Sequence, residues 1–195
     1  MNDLERVQHW QQATRRDFHP IEDEAEYFAS GQAYWEQRLS KHIRPSDTVL
    51  EFGCGDGRLA RHVHCQEFFV TDVSVPAIEA TLANVPHAKV FRFDRQVDVM
   101  FSANVFIHMT HSMIESTLYF MARYAKRFAI QMPLYDIARE GCDWIDVTTA
   151  TPIQWITWCD KAGLDVIELH ASKGEFSWDR IGPAHHALQV CEARK

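Results

Sequence analysis

Residues Val49 to Ala60, VLEFGCGDGRLA, place an apolar strand, a loop with glycines at Gly53, Gly55 and Gly57, and the opening of a helical pattern in direct succession. Glycine has no Cβ, so a backbone built this way can turn sharply and let a ligand come very close. A helix starting at the loop would aim unpaired N–H groups and the positive end of its dipole at the same spot, so a nucleotide-like ligand with an anionic group is expected there. Such a unit belongs to an α/β chain, and it requires more strands alternating with helices downstream.

Those elements are legible. Thr48 to Phe52 is a nearly continuous apolar run, as in strands buried on both faces. Further strands are expected at Glu67 to Thr71, Lys89 to Phe93, Val97 to Phe101, Arg127 to Met132, Asp165 to Leu169 and His186 to Cys191. Leu59, Ala60 and Val63 imply a helix after the glycine loop, and Ser74 with Pro76 opens another. Ser112 and Glu115 have capping-box spacing ahead of Met113, Ile114, Thr117, Leu118 and Met121, which share one helical face. Thr151-Pro152-Ile153-Gln154 starts a later helix, and Gly163 is placed to end it. The expected fold is α/β: a Rossmann-like, doubly wound sheet of about seven strands with helices on both faces, mostly parallel with an antiparallel last strand.

Ahead of this core, residues 3–41 read as helical with a break near His19-Pro20, because proline disfavours helix in the residue before it. Tyr27, Phe28, Tyr34, Trp35 and Leu39 recur on one helical face, as a packed surface or as a lid over a substrate, and Ser30-Gly31 weakens that helix in its middle. The chain of 195 residues thus reads as a single domain, with 1–45 an N-terminal helical cap or lid and 46–195 the ligand-binding core. Within the core, 133–150 shows no clear period, and an irregular stretch of that length in a compact domain is often functional.

Net charge and cysteine usage exclude some classes. With Lys+Arg 20 against Asp+Glu 27 the chain carries −7, so no global basic field exists to hold a phosphate backbone, and nucleic acid is disfavoured as a partner. The five cysteines, Cys54, Cys65, Cys142, Cys159 and Cys191, show no zinc-ligand spacing and read as thiols in a reducing, cytoplasmic compartment; no metal site is expected. No uncharged apolar run approaches the roughly 20 residues of a membrane span, and a monomer or homodimer is expected.

The glycine spacing separates two ligand classes. A dinucleotide-binding turn needs G-x-G-x-x-G/A, whose third small residue would fall at position 58, where this chain has Arg58. The sequence instead runs Glu51-Phe52-Gly53-Cys54-Gly55-Asp56-Gly57. This resembles motif I of the class I S-adenosylmethionine-dependent methyltransferases, and the resemblance runs from about Val49 to Cys191 through FFVTDVS, VDVMFSANVFIHM, QWITWCDKAGLDVIEL and HHALQVCEA.

The resemblance implies an enzyme that transfers a methyl group from S-adenosylmethionine and leaves S-adenosylhomocysteine. It implies cofactor contacts from Glu51, Gly53, Cys54, Gly55 and Gly57, from Asp72 and Val73 after the second strand, from Asp94 after the third, and from Asn104 and Val105 after the fourth. Asp72 would receive both ribose hydroxyls, and Glu51 would hold the cofactor's ammonium end or the loop itself. A carboxylate suits the ribose because its two oxygens can accept from two vicinal hydroxyls at once.

His108 is the candidate general base, since imidazole titrates near neutral pH; a hydrogen-bonded structural histidine is the competing reading, and His111 has no stronger claim. Transfer from a sulfonium is an in-line displacement driven largely by positioning, so no base is strictly required. Amino-methylating nucleic-acid enzymes of this fold carry an Asn/Asp-Pro-Pro-aromatic signature where this chain reads Ser102-Ala103-Asn104-Val105. A small-molecule hydroxyl, carboxyl or amine is therefore the expected acceptor, with a protein side chain the other option. Tyr27, Trp35, Tyr135 and Trp144, with Phe176 and Trp178 of a later loop, are candidate pocket walls. A cofactor-binding protein without transfer activity and a nicotinamide oxidoreductase are the remaining alternatives.

Overall fold

Alternating apolar residues on the central strands need cover on both sides, and this requirement organises the molecule. The computed structural model describes residues 2–12, 23–141, 147–173 and 188–194. Its strands β1 (Thr48–Phe52), β2 (Glu67–Thr71), β3 (Ala88–Val90), β4 (Val97–Ser102), β5 (Ala125–Gln131), β6 (Leu164–Glu168) and β7 (Leu188–Ala193) form one sheet in the order β3-β2-β1-β4-β5-β7-β6. All neighbours are parallel except β7, which runs antiparallel to both β5 and β6. Strand order reverses between β1 and β4, and in such sheets the crevice at that reversal is where ligands bind.

Successive strand residues point to opposite faces, so one apolar run feeds two cores. Leu50, Phe69, Met100 and Phe128 pack on one face with Ile114, Leu118 and Met121 of α4 (His111–Met121) and with Trp155 and Trp158 of α5 (Pro152–Lys161). Val49, Phe68, Val70, Val99, Phe101 and Ala129 pack on the other face with Leu39, Ile43, Leu59 and Val63. The remaining helices are α1 (Asp3–Gln12), α2 (Glu24–Tyr34) and α3 (Val75–Asn84). After Tyr34 the chain continues as a π-helical turn, Trp35–Leu39, and a 3-10 turn, Ser40–His42. The expected break at His19-Pro20 lies outside the described residues.

Helix ends follow local chemistry. Thr151 and Gln154 form a full capping box, Ser74 accepts from the Ala77 N–H, and Gly163 closes α5 with φ +75. The cap of α4 is Thr110, whose hydroxyl accepts from the Met113 N–H, and not Ser112, which donates instead to Asp3.

The helix expected after the glycine loop does not form, and the reason is reach. The chain must return from the carboxyl end of β1 to the amino end of β2 within residues 58–66. A five-residue strand is about 17 Å long at about 3.3 Å per residue. Nine residues of helix would climb only about 13 Å at about 1.5 Å each. The expected helix is consequently a single 3-10 turn, Ala60–His62, with extended backbone after it. Strand β3 stops at Val90, short of Phe93, and residues 91–96 cross to β4 without a helix. Phe91 and Phe93 cover the sheet there, packing on Tyr124 with ring centroids 6.1 and 5.2 Å away. Phe93 takes φ 56, an uncommon conformation for a bulky residue.

Among the described residues of 133–150, Leu134 bridges Ala150 and Arg139 bridges Thr149. Cys54, Cys65, Cys159 and Cys191 are free thiols. No helix among the described residues is long and apolar enough to cross a membrane.

Gly31 lets α2 lie against the glycine loop, since a Cβ there would sit 2.5 Å from the Arg58 carbonyl oxygen. Helix propensity alone would make alanine the more stable residue by roughly 0.5–1 kcal/mol. The clash outweighs this, and Gly31→Ala is expected to destabilise the protein by about 1–3 kcal/mol in chemical denaturation. A stabilised variant would mean that α2 does not approach the loop this closely.

Candidate functional site

The glycine loop leaves β1 at the point where strand order reverses. Gly53, Gly55 and Gly57 all have positive φ, at 80, 55 and 89. Two of them face different constraints. A Cβ on Gly53 would lie 2.2 Å from Val105 Cγ2, so this glycine is required by the turn after β4, whereas a Cβ on Gly55 would meet nothing within 4 Å. The loop therefore closes against β4 on one side and opens onto free space on the other.

Its backbone is held from several directions. The Gly53 and Cys54 N–H groups donate to Thr71 O at 2.8 and 3.2 Å, and the Gly57 N–H donates to Cys54 O at 3.0 Å. Asp72 Oδ2 accepts from the Gly55 N–H at 2.9 Å, while Oδ1 accepts from the Ser74 N–H at 2.9 Å. On the acceptor side, Thr81 donates to Gly55 O and Asn84 to Asp56 O, both from α3. From α2, the Tyr27 hydroxyl donates to Asp56 Oδ1 at 2.8 Å, and Arg58 reaches Ser30 Oγ at 3.3 Å.

This geometry corrects the expectation of an anion site. The loop amides just named already have acceptors, and a single 3-10 turn supplies no helix dipole. The charges nearby are mostly negative: Asp56 and Asp72 lie around Glu51, with Arg58 opposing them. Glu51 is 3% exposed, and its Oε2 has no hydrogen-bond partner among the described residues. Burial drives its proton affinity well above the ordinary carboxyl range; Arg58 opposes this, and Asp72 and Asp56 add to it. Burial also raises Asp72, against the backbone N–H groups of Ser74, Gly55 and Val73 that favour its ionised form. Cys54 is raised by burial first and by Glu51 second, so its thiol stays protonated. Carboxylates with spare lone pairs, an orphaned buried oxygen and an open loop fit a ligand that carries hydroxyls and a cation.

Beyond β4, Asn104 takes φ 58, and its N–H donates to Gln131 Oε1 at 3.0 Å. Gln131, wholly buried at the end of β5, also accepts from the Tyr34 hydroxyl at 3.3 Å. The sequence reading missed this link, although a polar residue closing the apolar run of β5 was its signal. From the segment expected to form the cap, α1 contacts the turn after β4. Arg6, 1% exposed, donates to His108 O at 3.1 Å and to Gly141 O at 2.6 Å. Asp3 accepts from Thr110 and Ser112, and Trp10 lies 4.8 Å from the His108 ring.

The structure brings Glu51, Gly53, Cys54, Gly55, Gly57 and Asp72 together around the loop, with Val105 of the turn after β4 against Gly53 and Asn104 next to it. Val73 stands beside Asp72, half exposed. Asp94 is not brought there. The short crossing carries it toward the amino end of β2, where Arg95 lies 3.6 Å from both Asp94 and Glu67, and its carboxylate is 60% exposed. Tyr27 is buried against the loop, and Trp35 packs on Phe101 in the core. Tyr135 forms a small buried cluster with Ile107 and Val147, so these aromatics do not share one pocket. Trp144, Phe176 and Trp178 lie outside the described residues. His111 is structural: its Nε2 is 2.9 Å from Thr149 O, and its backbone N–H donates to Glu140.

The burial of Glu51 has a measurable consequence for stability. Unfolded, its carboxyl ionises near the usual ~4.3, while the folded state favours the proton. The contribution is fully present below that range and is lost as pH rises through the folded-state value. Glu51→Gln should therefore match wild type in Tm near pH ~4 and exceed it increasingly toward pH ~8 in ligand-free protein. A constant difference across that range would show that Glu51 is not buried as described.

No family model matches the chain, and no curated protein matches it. Solved structures do. Magnesium protoporphyrin IX methyltransferase from Synechocystis PCC 6803, solved with bound S-adenosylmethionine, superposes with a TM-score of 0.65 at 11% identity, covering 98% of this chain and 96% of that one. DesVI from Streptomyces venezuelae gives 0.62 at 15% identity over 87% and 92%. DhpI, solved with S-adenosylhomocysteine, gives 0.61 at 15% identity over 97% and 96%. With the strand order and the antiparallel β7, these matches show that the chain has the class I methyltransferase fold.

Proposed function

We propose that the protein is an S-adenosylmethionine-dependent methyltransferase that acts on a small-molecule acceptor. The observation that carries this reading is the charge and hydrogen bonding of the glycine loop. A dinucleotide would set its diphosphate against amides that are already engaged and among Glu51, Asp56 and Asp72. A sulfonium donor brings positive charge and no phosphate. When bound, it would supply a methyl group open to in-line displacement.

The residues have separable parts. Asp72 keeps acceptor capacity for ribose hydroxyls beyond the N–H groups it already receives. Glu51 offers its free oxygen to an ammonium. The Asn104 turn, fixed by Gln131 and pressed on Gly53 by Val105, borders the side where transfer occurs. The α1 helix covers His108 from that side, and a covered site suits a small acceptor better than a polymer. In this reading α1 and α2 are the cap. His108 is kept as a base for a hydroxyl acceptor, while an amine would need only to arrive neutral. Free thiols throughout the described chain suit a cytoplasmic setting.

Titration calorimetry with S-adenosylmethionine and S-adenosylhomocysteine tests the core of this reading, with NAD as the contrast. Binding of the first two and not of NAD is expected, and the reverse would overturn it. Asp72→Ala should weaken cofactor binding by roughly 1–3 kcal/mol, the cost of removing one member of a buried, charge-assisted pair. Unchanged affinity in a folded variant would place the ribose elsewhere. Across an acceptor panel, His108→Ala should slow transfer to hydroxyls more than it weakens cofactor binding; equal rates would make His108 structural.

A further inference from the structure

Glu51 is placed where a charge is hard to keep. In register it sits between Val70 of β2 and Phe101 of β4, both wholly buried and apolar. The ionisable groups facing it are Arg58, Asp56 and Cys54 on the glycine loop and Asp72 at the end of β2. Arg58 is drawn in part toward Ser30 and the Tyr27 ring, so it is shared between partners. The neighbouring carboxylates repel a negative charge on Glu51, and Oε2 has no donor among the described residues. A buried carboxyl in these surroundings is cheaper to keep neutral than ionised.

We propose that Glu51 couples cofactor binding to proton release: it holds a proton while the site is empty and gives it to solvent when the cofactor's ammonium group arrives. The proposal rests on the methyl-donor reading above and adds to it a pH dependence that the fold does not by itself require. In the coupled step the Glu51 O–H bond breaks, the proton passes to water or buffer, and the ligand's N–H donates to the freed oxygen. Charge balances, because one carboxylate appears beside one ammonium and one proton leaves.

The direction follows from linkage. Where the empty site holds the proton and the filled site does not, affinity rises about tenfold per pH unit. The rise ends when Glu51 ionises in the empty site, or when the ligand's own amino group begins to lose its proton near ~8. Arg58 moderates the effect by favouring the ionised form in both states.

The test is calorimetry of the full chain with S-adenosylhomocysteine at matched pH, in phosphate and in Bis-Tris, whose heats of protonation differ. Wild type should release up to one proton per ligand at pH values where the empty site holds the proton, with affinity rising with pH through that range. Glu51→Gln should bind with no buffer-dependent heat and with a flat pH profile. Tight wild-type binding with equal heats in both buffers and flat affinity overturns the proposal while leaving the cofactor assignment standing. Proton release that persists in Glu51→Gln also overturns it, by assigning the proton to another group. Absence of any wild-type binding overturns the cofactor assignment and this coupling together. Should the variant fail to fold, the wild-type buffer comparison decides alone.

Discussion

The Asp72 carboxylate receives the Gly55 N–H with one oxygen and the Ser74 N–H with the other. It thereby joins the glycine loop to the entrance of α3, and the rest of the site depends on that junction. Burial alone would make an ionised Asp72 costly, and the backbone donors are what favour its charge. Because α3 also grips the loop through Thr81 and Asn84, the loop is held through both its donors and its acceptors. The conformation that a ligand needs is thus largely formed before one arrives, which lowers the ordering cost of binding.

The same arrangement gathers carboxyl groups around Glu51. Glu51 is buried beside Asp56 and Asp72, with Arg58 the main counter-charge. Groups gathered in this way lower the stability of the empty protein, and a ligand of opposite charge relieves the strain on binding. Such a cluster is a place where a fold gives up stability, against two apolar cores that supply the reserve.

Much of the fold was legible because it is written in local chemistry. The apolar runs of β1, β2, β4 and β5, the Thr151–Gln154 box and the glycine spacing each need only neighbours in sequence. Two features failed where distance along the chain, and not periodicity, decides. Leu59, Ala60 and Val63 have helical spacing, yet residues 58–66 are too few to climb a strand as a helix. Asp94 follows β3 in sequence, but the short crossing carries it toward the opposite end of the sheet. In the site, the loop residues and Asp72 were readable from motif spacing. Arg6, Tyr34 and Gln131 were not, since their partners lie about a hundred positions away in the chain. The aromatic residues expected to share a pocket, Tyr27, Trp35 and Tyr135, separate into different packing clusters because an aromatic ring fits a core as well as it fits a ligand.

The roof over the β4 turn is fastened chiefly by Arg6 to main-chain carbonyls, those of His108 and Gly141. A carbonyl oxygen is offered by every amino acid, so substitution at either position leaves the fastening in place. The side chains at these two positions are therefore not what holds α1 in place. One buried guanidinium, with Asp3 on Thr110 and Ser112, ties α1 to the turn after β4 through contacts that do not depend on the side chains at 108 and 141.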